Sequence, residues 1–255
     1  MTEAGPVPRS VPRLKFAAAG GLTFAAAFLF GLPAVAQTMT LDLGTGGVSE
    51  RALQIVALIT VLSLAPSILV MITSFTRIVV VLSLLRTAIG TQTAPPNSVV
   101  TALALFLTAF VMAPTFQASY DQGIAPRIAG QIDDTTAFQR GMAPFRTFML
   151  GHVREKDLAL FQDLSREPRP ETAEQVSLRV LVPSFMISEL RRAFEIGFLL
   201  FVPFLVIDLV VASVLMSMGM MMLPPAIVSL PFKLIFFVLV DGWNLVAGSL
   251  VQSYG

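Results

Sequence analysis

Asp208, Lys233 and Asp241 are the residues best placed for unusual chemistry, because each interrupts a long apolar stretch. An ionisable side chain at membrane depth is costly, and where one persists it marks an ion or proton path, a substrate contact or a paired charge. Asp208 lies within Phe194–Val214 and Lys233 within Ala226–Val240. Between them stands Val214-Leu-Met-Ser-Met-Gly-Met-Met-Met-Leu-Pro-Pro225, with five of the chain's twelve methionines: Met216, Met218, Met220, Met221 and Met222. Unbranched thioethers repack at low cost around objects of different shape. A ring of such loops could close a pore and still yield to a passing chain, whereas the plainer use of the same residues is a gap-filling core patch.

The elements that must position these residues form a hairpin. Pro224-Pro225 lacks backbone donors and disfavours continued helix, so the two apolar arms fold back with the methionines at the tip. The midpoint between Asp208 and Lys233 falls at roughly residue 220, which puts both charges at similar depth in an antiparallel hairpin. Two readings stay open: a structural pair that neutralises both charges, within one hairpin or between subunits, and an ion or proton relay. Upstream, Glu189, Arg191, Arg192 and Glu195 stand at three- and four-residue spacing and can neutralise one another along a helix. Phe194, Phe198 and Phe201 form a stripe of the same period, suited to helix or lipid contact or to a pore lining.

Composition narrows the class. The chain is 55% hydrophobic and 13% charged, with a mean hydropathy of +0.79, against about 25% charged for an ordinary soluble domain. This is the composition of an integral membrane protein. A net charge of +1 gives no case for nucleic acid. The absence of cysteine excludes disulfides and thiolate chemistry, and one histidine, His152, without HExxH or GxSxG leaves no common zinc-protease or serine-hydrolase constellation. No cofactor, metal site or catalysis is expected. His152 reads as a surface or packing residue.

In chain order, Arg9, Arg13 and Lys15 precede the apolar run Phe16–Leu32 and the small-x-small pattern Ala34-x-Ala36. That reads as a secretory signal peptide, 1–36, cleaved between Ala36 and Gln37, with an uncleaved signal anchor as the alternative; either way the loose lead-in 37–51 lies outside the cytoplasm. Ala52–Ile72, with Pro66 inside it, and Val99–Met112 form a first helical hairpin over 52–114. Arg77 and Arg86 in its turn read as cytoplasmic by the positive-inside rule. Residues 115–183 are a polar, proline-punctuated extracytoplasmic segment, helical in pieces such as Ala143–Phe161. The second hairpin spans 184–255. Pro183 opens its first arm, Ser184–Leu215, which at 1.5 Å per residue would measure about 48 Å. Its second arm, Ala226–Leu250, carries Trp243 and Tyr254 as interfacial anchors. The expected fold is all-α, built from membrane-embedded helical hairpins.

Met216–Pro225, Leu230-Pro-Phe-Lys-Leu-Ile-Phe-Phe-Val-Leu-Val-Asp-Gly-Trp243 and Phe201-Val-Pro-Phe-Leu-Val-Ile-Asp-Leu209 closely resemble the FliP family of flagellar type III export-gate proteins. So does Phe75-Thr-Arg-Ile-Val-Val-Val-Leu-Ser-Leu-Leu-Arg86 with the following Thr-Ala-Ile-Gly-Thr-Gln-Thr-Ala-Pro-Pro-Asn97. The likeness covers about Ala52–Pro114 and Pro183–Tyr254 and is looser between. The middle segment and the signal peptide favour the flagellar over the virulence branch.

The resemblance implies a non-enzymatic, channel-forming subunit of the bacterial inner membrane at the flagellar basal body. It implies a homo-oligomer, a pentamer, in a ring-shaped helical complex with FliQ and FliR, further export-apparatus proteins and exported flagellar proteins as substrates. Met216–Met222 would be the gasket around the channel. It also implies that parts of the complex stand outside the bilayer plane, which accommodates the overlong first arm. The alternative function is a proton- or ion-coupled transporter using Asp208, Lys233 and Asp241. A transporter is expected to show internal repeats, and the two halves here are unlike and separated by a polar insert.

Overall fold

The computed structural model describes residues 48–91, 93–168, 170–220 and 222–255. The signal-peptide and lead-in readings for residues 1–47, with Ala36 and Gln37, lie outside the described residues, as does Met221. The chain divides into units Met1–Leu58 and Ile59–Gly255. Of the first, only the opening turns of α1, Val48–Met71, are described.

The second unit is helical throughout its regular structure: α2 (Phe75–Ile89), α3 (Asn97–Ser119), a π turn at Tyr120–Ile124, α4 (Ala125–Ile128), α5 (Asp134–His152), α6 (Glu155–Ser165), a short 3₁₀ turn at Ala173–Gln175, α7 (Leu178–Ser217), α8 (Pro225–Leu239) and α9 (Gly242–Gln252). Its centre is α2, because the apolar residues Ile78, Val81, Leu82, Leu85, Ala88 and Ile89 recur at helical period and are all buried. They pack with Val100, Ala104 and Leu107 of α3, Ala193 and Phe204 of α7, Phe237 of α8 and Val246 and Leu250 of α9. Phe106 and Phe110 on the opposite face of α3 are exposed in the single chain. A helix apolar all round belongs in lipid or against partners.

A second core joins the polar segment to this frame: Ile72, Met112, Phe145, Met149, Val176, Val180, Leu181 and Phe185. Burying each such side chain stabilises by roughly 1.5–3 kcal/mol. Asp133 caps α5, its carboxylate accepting the Thr135 and Thr136 backbone N–H groups at 3.2 and 3.4 Å. Hydrogen bonding, led by the Thr136 side chain, holds that carboxyl below its ordinary pKa against the opposing effect of desolvation.

Asn97–Ile128 and Leu178–Ser217 are long and apolar enough to cross a membrane, and α8 with α9 makes a third span if the bent pair is counted as one. The protein is an all-α membrane protein. At 40 residues α7 measures about 60 Å, roughly twice the hydrocarbon thickness.

Several boundaries differ from the sequence expectation. Helix continues from α3 past Pro114 and through the π turn, well into the stretch read as polar. Proline costs one intrahelical bond, which packing at Met112 and Phe145 outweighs here. For the same reason α7 begins at Leu178, capped by Ser177, and runs through Pro183 rather than opening there. The helical piece expected over Ala143–Phe161 is divided at Val153–Arg154. The last arm is two helices, not one: the chain turns by 63° between α8 and α9.

Candidate functional site

The Met tip is built from the way α7 stops. Gly219 takes φ +75°, a left-handed conformation that a side chain would strain. Its N–H returns to the Met216 carbonyl at 3.0 Å while the Met220 N–H reaches the Leu215 carbonyl at 3.0 Å. Those two bonds are a Schellman closure of the helix. Pro225 then occupies the first position of α8, where its missing N–H costs nothing. Within this single chain the tip is unpacked: Met216, Met218 and Met222 are 58%, 64% and 98% exposed. Met220 is half-buried.

Below the tip, α7 and α8 line an apolar cavity of about 550 Å³ bounded by Val206, Val210, Val214, Val228, Phe232 and Phe236. Asp208 and Lys233 meet across the same two helices. The Lys233 ammonium donates to Asp208 Oδ2 at 2.6 Å and to the Ala88 carbonyl at 3.3 Å, and the Ser229 hydroxyl donates to Asp208 Oδ1 at 2.5 Å. Lys233 is therefore more than a counter-ion. Ala88 belongs to the last turn of α2, whose carbonyls lack helical partners, so the ammonium also caps that helix at its negative end.

A second buried charge centre sits at the other end of α2. Arg77 and Glu189 are 1% and 0% exposed. The guanidinium engages the carboxylate in a fork, Nε to Oε2 at 2.9 Å and Nη2 to Oε1 at 2.5 Å. Nη1 donates to the Ser253 carbonyl and hydroxyl oxygens at 3.1 and 2.9 Å. The Tyr254 ring lies 3.8 Å beneath the guanidinium, and its hydroxyl donates to Glu189 Oε2 and stands 3.4 Å from the Ser74 carbonyl. His152 and Phe148 of α5 pack on the same tyrosine, with centroids 5.1 and 5.9 Å away.

These contacts correct four expectations. Glu189 pairs with Arg77, 112 residues away, and not with Arg192, because it points into the α2–α7 seam. Arg192 stays half-buried, while Arg191 and Glu195 do pair, 3.0 Å apart and exposed. Arg77 is inside the protein, so it cannot count as a cytoplasmic surface charge. Arg86 instead braces the α2–α3 turn through the Pro95 carbonyl and Asn97 Oδ1. Tyr254 is an internal packing residue rather than an interfacial anchor. Asp241 is exposed at the α8–α9 bend, where it accepts a hydrogen bond from Asn244 at 3.1 Å. Of the phenylalanine stripe, Phe194 and Phe198 are exposed and Phe201 lies against the core.

Sequence reasoning missed Ser229, the Ala88 carbonyl and the place of Tyr254 over Arg77. Ser229 was findable, since it stands one helical turn before Lys233 and shares its face. Among the described residues no group of three or more His, Cys, Asp or Glu side chains could hold a metal ion.

The FliP family model matches residues 58–250. The chain is 66% identical over 227 residues to "Flagellar biosynthetic protein FliP" of Caulobacter vibrioides, covering 88% of this chain and 85% of the relative. Against the proteins of the same name from Rhizobium meliloti and Bacillus subtilis it is 53% and 52% identical, over 82% and 80% of this chain and 86% and 93% of theirs. The matched range takes in the middle segment as well as most of both hairpins, and the chain belongs to the FliP family.

Proposed function

We propose that this protein is a channel-forming subunit of the flagellar type III protein export gate in the bacterial inner membrane, with the Met tip as its gasket. Membership of a family whose relatives are flagellar biosynthetic proteins supports the export role. The observation that carries the finer reading is the exposure of Met216, Met218 and Met222 on a loop that follows the hydrogen-bonded closure of α7. Flexible apolar side chains that find no partner in their own chain are available to meet those of neighbouring copies.

The partners in this reading are further copies of the chain, a pentamer, together with FliQ and FliR. The exposed faces of α3 and α7 supply the apolar surface such neighbours require. Asp208 and Lys233 act as the pair that fixes the two arms in register below the gasket. No step here requires chemistry.

The seal and the passage make opposite demands. A closed channel must exclude ions and water, which favours a dry apolar constriction. An exporting channel must admit unfolded chains of changing shape, which favours side chains that repack cheaply. Replacing Met218, Met220, Met221 and Met222 together by Ala is expected to leave a leaky pore, and by Leu to preserve closure while slowing export. Ion leak in cells carrying the assembled gate, measured beside the rate of filament-protein secretion, tests this. Unchanged leak in the assembled quadruple Ala variant would return the loop to a packing role.

A further inference from the structure

We infer that Arg77, Glu189 and Tyr254 form a clasp that holds α9 shut against α2 and α7, and that a subunit with this clasp open is kept out of the assembled complex. The second half rests on the proposed assembly; the first stands on the geometry alone.

Arg77 and Glu189 would be a poor pair by themselves. Two charges withdrawn from water repay their desolvation only when the remaining donors and acceptors are also satisfied. The segment after α9 completes that set. Ser253 takes the free edge of the guanidinium with its carbonyl and hydroxyl oxygens, and Tyr254 covers the guanidinium face while its hydroxyl serves Glu189. The same tyrosine reaches the Ser74 carbonyl just before α2 and rests on His152 and Phe148 of α5. One side chain thus reports at once on α2, α5, α7 and α9. With Tyr254 and Ser253 withdrawn, a buried ion pair would face a half-empty shell, so the charge centre is satisfied only when α9 is docked. Leu250, a turn earlier on α9, is buried at 1% exposure in the main core and shares that docking.

The chain has no cysteine, so one introduced thiol reads this docking directly. Leu250→Cys in the full-length protein, purified in mild detergent, is treated with a small maleimide. Slow labelling is expected in the otherwise natural chain. Tyr254→Ala and Arg77→Gln are each expected to raise the rate at least tenfold. Tyr254→Phe, which keeps the ring over Arg77 and loses the hydroxyl bonds, is expected to raise it by less. Native gels of membranes then follow entry of the same variants into the large complex, which Tyr254→Ala is expected to lose and Tyr254→Phe to retain in part.

Unchanged labelling in Tyr254→Ala and Arg77→Gln would overturn the clasp. Should those two chains be degraded, Tyr254→Phe decides: unchanged labelling overturns the clasp and faster labelling supports it. Faster labelling with undiminished entry into the complex would overturn the exclusion of open subunits. Neither measurement involves ion leak or secretion, so these failures are distinct from a failure of the gasket reading.

Discussion

Removing one member of the Asp208–Lys233 pair should hurt unequally, and burial sets the direction. Asp208→Ala leaves the Lys233 ammonium, 8% exposed, with only the Ala88 carbonyl for company. Stripping the partner from a buried charge costs about 3–5 kcal/mol. Lys233→Ala leaves a carboxylate that is 35% exposed and keeps the Ser229 hydroxyl. The retained Ser229 hydroxyl bond lowers that cost to about 1.5–3 kcal/mol, the range for losing one hydrogen bond to a charged group. The gap of about 1.5–2 kcal/mol corresponds to roughly a tenfold or greater difference in the ratio of folded to unfolded protein. The full-length chain in mild detergent can be unfolded while following its single tryptophan, Trp243, which packs edge-on against Phe237 at 5.3 Å. A Lys233→Ala variant destabilised as much as Asp208→Ala would refute the reasoning. The double variant Asp208→Leu with Lys233→Met is expected to recover most of the loss, since apolar replacement of both partners can be neutral or better. If that variant assembles but exports nothing, the pair belongs to an ion relay and not to the frame.

Three further outcomes are expected. Amino-terminal sequencing of the membrane-inserted protein should begin at Gln37, and a start at Met1 would refute the signal-peptide reading. Gly242→Ala would place a methyl group 2.2 Å from the buried Phe237 ring, a clash of the overpacking kind worth about 1–3 kcal/mol; the loss should shrink when Phe237→Leu is added, and an unaltered melting temperature would count against the tight bend. Asp133→Ala should lower hydrogen-exchange protection at Thr135 and Thr136 severalfold at neutral pH. Because the Asp133 pKa is lowered in the folded chain, its contribution is present above the ordinary carboxylate value of about 3.9 and disappears as pH falls through the folded-state value; loss of protection already between pH 7 and 5 would contradict this.

What could be read from the sequence was whatever lies close along the chain. Asp208 and Lys233 stand 25 residues apart on the arms of one hairpin, so counting from a double-proline tip brings them level, and the structure holds them 2.6 Å apart. The long apolar arms were legible as helices, but α2, whose arginines Arg77 and Arg86 read as the turn of the first hairpin, was not. Glu189 shows the opposite case. Its local partner, Arg192, satisfies every spacing rule for a helix pair, yet the carboxylate turns to Arg77, 112 residues away. Local spacing gives the options open to a charge, and burial across a helix seam chooses among them. Prolines misled in the same way. Pro114 and Pro183 look like stops, but each removes a single bond from a helix held by packing on several sides.

The joint between α8 and α9 is locked from both sides. Asp241 is held in the left-handed region at φ 50°, and the Phe237 ring lies so close to Gly242 that no side chain fits there. A hinge so built has no play. In a closed ring of identical subunits, such as the one proposed, each copy repeats the same angular step, and any error in one is copied into all and gathers at the seam. The 63° turn then acts as a machining tolerance. In the proposed ring, one aspartate, one glycine and the edge of one phenylalanine would set that angle alike in every copy.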